Sequence, residues 1–170
     1  ILDQDSEHSI LHDSNYFLPE EISIEQSNSY GLRVMHLNIR SLVGKLDELK
    51  LLLEKLKNQE ILIDVILVCE TFLTDTNKNL VDIASYTLEE SHRKNRSGGG
   101  VAIYLSKTLK YKRRKDLEIF NEGQVESIFV ELESCAKNVI MGELYRVPNS
   151  DINFFLREYK NLTNKLDAEN

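Results

Sequence analysis

No stretch of this sequence stays apolar for long. The longest such run, 61–69, is broken by Asp64 and falls far short of the roughly 20 residues that span a bilayer, which excludes a membrane helix. The chain does not open on a basic stretch followed by an apolar one, the pattern a secretory signal needs. Cysteine is scarce. Cys69 and Cys135 both sit inside apolar, strand-like segments, which suits reduced, buried thiols in an intracellular protein and not a disulfide framework. Only two prolines occur in 170 residues, and no repeat is visible, so long proline-rich linkers and solenoid arrays are excluded.

Positive charge is absent from the first 30 residues, which hold seven of the 28 acidic side chains and none of the 21 Lys and Arg. The formal charge of −7 therefore belongs to that segment, and the remainder is neutral. A neutral domain still binds nucleic acid through a local basic face, so net charge excludes no such partner. Residues 1–30 show no period of two or 3.6 and are rich in Ser, Asn, Asp and Glu. They read as an acidic, disordered tail or linker, with a folded domain over 31–170.

Within that domain the spacing predicts a strand over 32–38, then a helix with Leu46, Leu49, Leu52, Leu53 and Leu56 on one stripe. Residues 61–69 are apolar on both alternating faces and β-branched, as expected of a central strand covered on both sides. Beyond a polar stretch, 100–105, 125–132 and 138–145 read as strands. From Asp151, a candidate N-cap, Ile152, Phe155, Tyr159, Leu162 and Leu166 alternate spacings of three and four, predicting a last amphipathic helix. Both helix stripes are expected to cover the sheet and not to bind a partner.

Asn38 and Glu70 fall at the C-terminal ends of two predicted strands that flank one helix, where open α/β sheets place their ligand sites. An amide oxygen with a carboxylate is a hard, oxygen-only pair suited to Mg²⁺ or Mn²⁺. Spacing alone favours the plainer reading, a turn-forming Asn38 and a solvated Glu70. Gly98, Gly99 and Gly100 do not form a phosphate-binding P-loop, because Val101 begins a strand where a P-loop has a helix, and no Lys-Ser/Thr pair directly follows Gly100. They read as a flexible lead-in where backbones approach closely. Arg93, Lys94 and Arg96, and then Lys110, Lys112, Arg113, Arg114 and Lys115, are the dense basic groups and the candidate phosphate contacts, although such runs also serve as solvated loops.

The order of short segments adds what spacing does not. It runs from His36-Leu37-Asn38-Ile39-Arg40-Ser41-Leu42 through Asp64-Val65-Ile66-Leu67-Val68-Cys69-Glu70-Thr71 and Tyr86. Gly98-Gly99-Gly100-Val101-Ala102-Ile103-Tyr104, Glu126-Ser127 and Tyr145-Arg146-Val147-Pro148-Asn149 then follow. This series, covering about residues 32–166, resembles the endonuclease domain of non-LTR (LINE-type) retrotransposons, in the endonuclease/exonuclease/phosphatase superfamily.

The resemblance implies an α/β, DNase I-like four-layer sandwich with mixed β-sheets. Its C-terminal part would be missing, with roughly the first half to two thirds present of an ordinary domain of about 200–250 residues. It implies a metal-dependent enzyme that nicks DNA with Mg²⁺ or Mn²⁺, the freed 3′ hydroxyl priming a reverse transcriptase domain in the same polyprotein, and hence nuclear location. Residue by residue, Asn38 and Glu70 match the metal site, Glu70 and Tyr145 the catalytic set, and Asn149 the asparagine that follows. Arg40, Arg93, Lys94, Arg96 and Arg146 become candidate DNA contacts. The family's Gly-Asp-Phe-Asn and Ser-Asp-His segments do not occur, and none of His8, His12, His36 and His92 matches its catalytic histidine. Two alternatives follow: another phosphoesterase or abasic-site nuclease of the superfamily, or an inactive, domesticated remnant that acts as a binding module.

Overall fold

A computed structural model describes residues 31–134 and 137–169; the acidic segment 1–30, with His8 and His12, and Cys135 lie outside the described residues. The elements are β1 (Val34–Asn38), α1 (Leu42–Asn58), β2 (Val65–Cys69), β3 (Tyr86–Ser91) and β4 (Val101–Ser106). After these come β5 (Tyr111–Arg113), β6 (Phe120–Asn121), β7 (Val125–Leu132), β8 (Val139–Arg146) and α2 (Ile152–Asp167). A 3-10 turn at Lys78–Leu80 precedes β3.

The strands form two sheets. The first has the order β1-β2-β4-β3, with β1 and β2 parallel and the other pairs antiparallel. In the second, β5 and β6 pair with successive parts of one side of β7 and β8 pairs with the other, all antiparallel. Alternation along each strand sorts the core into three layers. Ile66, Val68, Ala102 and Tyr104 face α1 and meet Leu42, Leu46 and Leu49. Val65, Cys69, Val101, Ile103 and Leu105 face the second sheet and meet Ile128, Val130 and Leu132. Phe129, Ile140 and Leu144 face outward onto Leu162 and Leu166 of α2. The stack is therefore helix, sheet, sheet, helix, the four-layer α/β sandwich. Each fully buried Leu or Ile in these layers contributes about 1.5–3 kcal/mol.

The strand predicted over 61–69 starts later, at Val65. The reason is Asp64, whose carboxylate accepts from Arg33 N at 2.8 Å and fixes the lead-in to the parallel pair. Strand β3 lies in what reads as a polar stretch. It is an edge strand with Tyr86 and Leu88 turned toward the α1 layer, while Glu89 on its other face accepts from Tyr111 and Arg113 at 3.0 and 3.1 Å. The stripe predicted for α2 is corrected over its first half. Leu162 is buried, but Ile152 and Tyr159 are 49% and 48% exposed. Leu162 and Leu166, in the C-terminal half of α2, pack on the sheet, and nearby Arg114 binds Asp116, Glu131 and Glu169 together. Glycine is required at Gly142, which lies opposite Phe129 across β7 and β8. A Cβ there would sit 2.2 Å from the Phe129 ring.

Candidate functional site

The parallel pairing of β1 with β2 sets Asn38 beside Cys69, so the chain leaves both strands at the same end of the sheet. Directly after Cys69 the backbone turns sharply: Glu70 and Phe72 both take left-handed φ values of 54°. Such conformations cost about 1–3 kcal/mol each and persist only where neighbours over-determine them. Here Thr71 N donates to Gly100 O at 3.2 Å and Phe72 N to Gly99 O at 2.8 Å, while Ser41 N donates to Glu70 O at 2.9 Å. The turn carrying Glu70 is thus clamped between the start of α1 and the glycine segment.

The glycine segment is itself held from the second sheet. Glu126, fully buried in β7, accepts from Gly100 N at 2.6 Å and pairs with Arg93. A Cβ at Gly100 would meet Thr71 Oγ1 at 2.5 Å, and one at Gly99 would meet the Arg93 guanidinium at 2.3 Å. These glycines form a close-packed joint in place of a flexible lead-in. The close approach of backbones is present; the slack is not.

At the centre of the site, Asn38 Nδ2 donates to Glu70 Oε1 at 2.9 Å, and the Tyr145 hydroxyl donates to the same oxygen at 3.0 Å. Asn38 and Glu70 come from the first sheet and Tyr145 from β8 of the second, so the three meet across the gap between sheets. Burial, and then the hydrogen bond to Glu70, push the Tyr145 hydroxyl up to about 12, which keeps it a proton donor at neutral pH. Asn38 and Glu70 can offer a cation only oxygen ligands, the amide doing so through Oδ1 after a half-turn that exchanges it with Nδ2.

The remaining predicted residues divide. Asn149 lies in the turn from β8 to α2 with φ 61°, four residues beyond Tyr145. Arg40, also left-handed at φ 46°, is exposed beside the Glu70 turn. Arg146 is exposed and reaches Ser150 Oγ at 3.4 Å. Lys94 and Arg96 are exposed on a loop that Glu122 grips through Lys94 N and Asn95 N at 2.8 and 3.1 Å. Arg93 faces inward instead: its side chain is 9% exposed and occupied by Glu126. In the second basic run, Arg113 is paired with Glu89 and Glu118, and Arg114 with Asp116, Glu131 and Glu169.

Beneath Asn38, Glu70 and Tyr145 lies a row that the sequence reading does not single out. His36 Nε2 stands 3.1 Å from Glu143 Oε1 and 4.0 Å from Cys69 Sγ. Burial, and then the charge of Glu143, push the Cys69 thiol up to about 12; burial also raises Glu143, against the pull of His36. A signal is present in the sequence. Glu143 stands two residues from Tyr145 in a strand, and His36 two from Asn38, so each shares a face with a site residue.

No family model matches the sequence, and no curated protein matches it. Among solved structures, the endonuclease domain of TRAS1, a telomere-specific non-LTR retrotransposon, is similar with a TM-score of 0.56 at 15% identity. The match covers 79% of this chain and 54% of that one. A structure of humanized D. rerio TDP2 carrying 14 mutations matches with a TM-score of 0.49 at 13% identity, over 79% of this chain and 57% of that one. The chain thus spans about half the length of the solved domain it resembles, and the likeness establishes the DNase I-like fold.

Proposed function

We propose that this chain carries the metal- and phosphate-holding part of a DNA endonuclease domain of the retrotransposon type. The observation that carries the reading is the meeting of Asn38 and Tyr145 on one oxygen of Glu70 from two different sheets. A structural strand end needs no such convergence. A solved neighbour with this fold is itself a retrotransposon endonuclease domain, and the ordered segments from His36 to Asn149 support the same branch.

The residues present fit a small, hard cation. Asn38 and Glu70 would hold Mg²⁺ or Mn²⁺, with water and phosphate completing the shell. When bound, the ion supplies Lewis-acid polarisation of the phosphoryl group and neutralises charge at the leaving 3′ oxygen. Tyr145 donates its hydroxyl to a non-bridging phosphate oxygen, where charge grows in the transition state, and Asn149 adds a second polar contact. Arg40, Lys94, Arg96 and Arg146 bind flanking phosphates and hold the duplex in register. Arg93 acts from beneath, by fixing the glycine segment through Glu126. The nicked strand's 3′ hydroxyl then primes a reverse transcriptase encoded in the same polyprotein, which places the work in the nucleus.

Activation of the attacking water falls to groups outside this set. Of the described histidines, His36 pairs with Glu143 and His92 with Glu90, and neither joins Asn38, Glu70 and Tyr145. The deciding experiment is relaxation of supercoiled plasmid by the polypeptide its gene encodes, with and without Mg²⁺ or Mn²⁺, beside its Glu70→Gln variant. Metal-dependent nicking lost in the variant supports the reading. Binding of DNA without cleavage would indicate a domesticated binding module, and cleavage confined to abasic sites would indicate a different branch of the superfamily.

A further inference from the structure

One pleat below Glu70, the same three strands bring together a second set of ligand-bearing side chains. His36 comes from β1, Cys69 from β2 and Glu143 from β8, and their Nε2, Sγ and carboxylate oxygen all lie within 4.8 Å of one another. We propose that His36, Cys69 and Glu143 form a site for a zinc-class divalent ion, with three protein ligands and one open position. This inference goes beyond the hydrolytic reading and stands independently of it.

Geometry supports it first. Zn–N and Zn–O bonds of about 2.0–2.2 Å and a Zn–S bond of about 2.3 Å set ligand atoms roughly 3.3–3.6 Å apart in a tetrahedron. The observed 3.1 Å from His36 Nε2 to Glu143 Oε1 and 4.0 Å from Cys69 Sγ to His36 Nε2 bracket that range. Side-chain rotation of about an ångström closes the remainder.

Chemistry supports it next. A thiolate and an imidazole select zinc-like ions and discriminate against Mg²⁺, which takes oxygen ligands. Along β1 and β8 this row is two residues from Asn38 and Tyr145, roughly 6.6 Å at a strand's rise. That exceeds the about 3.5–4 Å of a two-metal centre, so the row is a separate site and not the second half of the hydrolytic one.

Burial and access agree. Cys69 and Glu143 are 4% and 3% exposed, whereas the His36 side chain is 57% exposed on the edge strand β1, which leaves a way in from solvent. On binding a divalent ion, the Cys69 thiol proton leaves to solvent together with any proton on Glu143, so that Cys69 binds as thiolate, Glu143 as carboxylate and His36 through its neutral nitrogen, with no electron transferred.

The test is a titration of Co²⁺ into the reduced, chelator-stripped full chain, followed by visible and near-ultraviolet absorption. One equivalent should give tetrahedral d–d bands and a thiolate-to-cobalt charge-transfer band. Zn²⁺ should displace the cobalt and excess Mg²⁺ should not. Cys69→Ser and His36→Gln should abolish the charge-transfer band, whereas Cys135→Ser and Glu70→Gln should keep it. His36 is exposed, so His36→Gln remains informative if Cys69→Ser does not fold. A folded wild-type chain without the band, or a band that survives Cys69→Ser or disappears with Cys135→Ser or Glu70→Gln, overturns the proposal. The hydrolytic reading fails separately, on plasmid nicking.

Discussion

Tyr145 reaches from the second sheet to place its hydroxyl 3.0 Å from Glu70 Oε1 on the first. Tyr145→Phe keeps the ring in the inter-sheet core and removes only the donor. On the proposed endonuclease reading, the nicking rate should fall roughly 10²–10³-fold, the usual effect of losing one transition-state donor. Circular dichroism should show the fold intact. A rate unchanged in a folded Tyr145→Phe protein would remove this hydroxyl from the chemistry.

Glu126 is buried and bound to Arg93 and Gly100 N. Glu126→Ala leaves a guanidinium and an amide without their acceptor in the interior, which should cost about 3–5 kcal/mol, read as a lower urea midpoint at constant m-value. The joint under Glu70 loosens with it, so metal binding at the proposed Asn38 and Glu70 site should weaken even at temperatures where the variant stays folded. Destabilisation below about 1 kcal/mol would argue that the strut is dispensable.

Gly142 and Phe129 should behave as a coupled pair. Adding a methyl group at Gly142, where Phe129 stands 2.2 Å from the added carbon, overpacks the outer layer by about 1–3 kcal/mol. Phe129→Leu makes room, so Gly142→Ala should cost much less in that background. Strict additivity in the double-mutant cycle would contradict the contact.

In the metal-free protein, Cys69 should be nearly inert while the chain is folded. Its thiol is raised from 9.0 to about 12 by burial and then by Glu143, which lowers the thiolate fraction near neutral pH about a thousandfold, and access is restricted as well. Alkylation by iodoacetamide should therefore track unfolding. Glu143 carries the opposite lesson for stability. Its folded-state value is raised, so its contribution is present below the unfolded carboxylate range and is lost as pH rises through the folded value. In the metal-free protein, Glu143→Gln, which can still hydrogen-bond His36, should raise the melting temperature at pH 8 and lose that advantage in acid. A variant less stable than wild type at pH 8 would mean that the charged pair is net favourable.

Sequence and structure agree where one physical signal dominates. The parallel pair β1 and β2, the helix between them and the strand Val125–Leu132 are legible because leucine spacing and β-branched runs report burial directly. Asn38 and Glu70 are placed together by strand ends alone. Strand β3 is hidden because Tyr86–Ser91 is an edge whose polar residues find partners in the second sheet, and such pairing leaves no local pattern. Arg93 reads as a solvent-facing charge because its partner, Glu126, is 33 positions away in the chain. The first half of α2 reads as core because periodicity reveals a face without revealing what the face meets. The row of His36, Cys69 and Glu143 requires two strand registers at once, and one sequence supplies neither.

Because Glu70 and Tyr145 belong to different sheets, the packing of Val101, Ile103, Ile128 and Val130 between them sets the spacing of the site. That core works as a gauge block. A substitution there that thickens the filling by one methylene would part Tyr145 from Glu70 before it unfolded anything, so drift in the hydrophobic interior and tuning of the polar rim are one evolutionary variable.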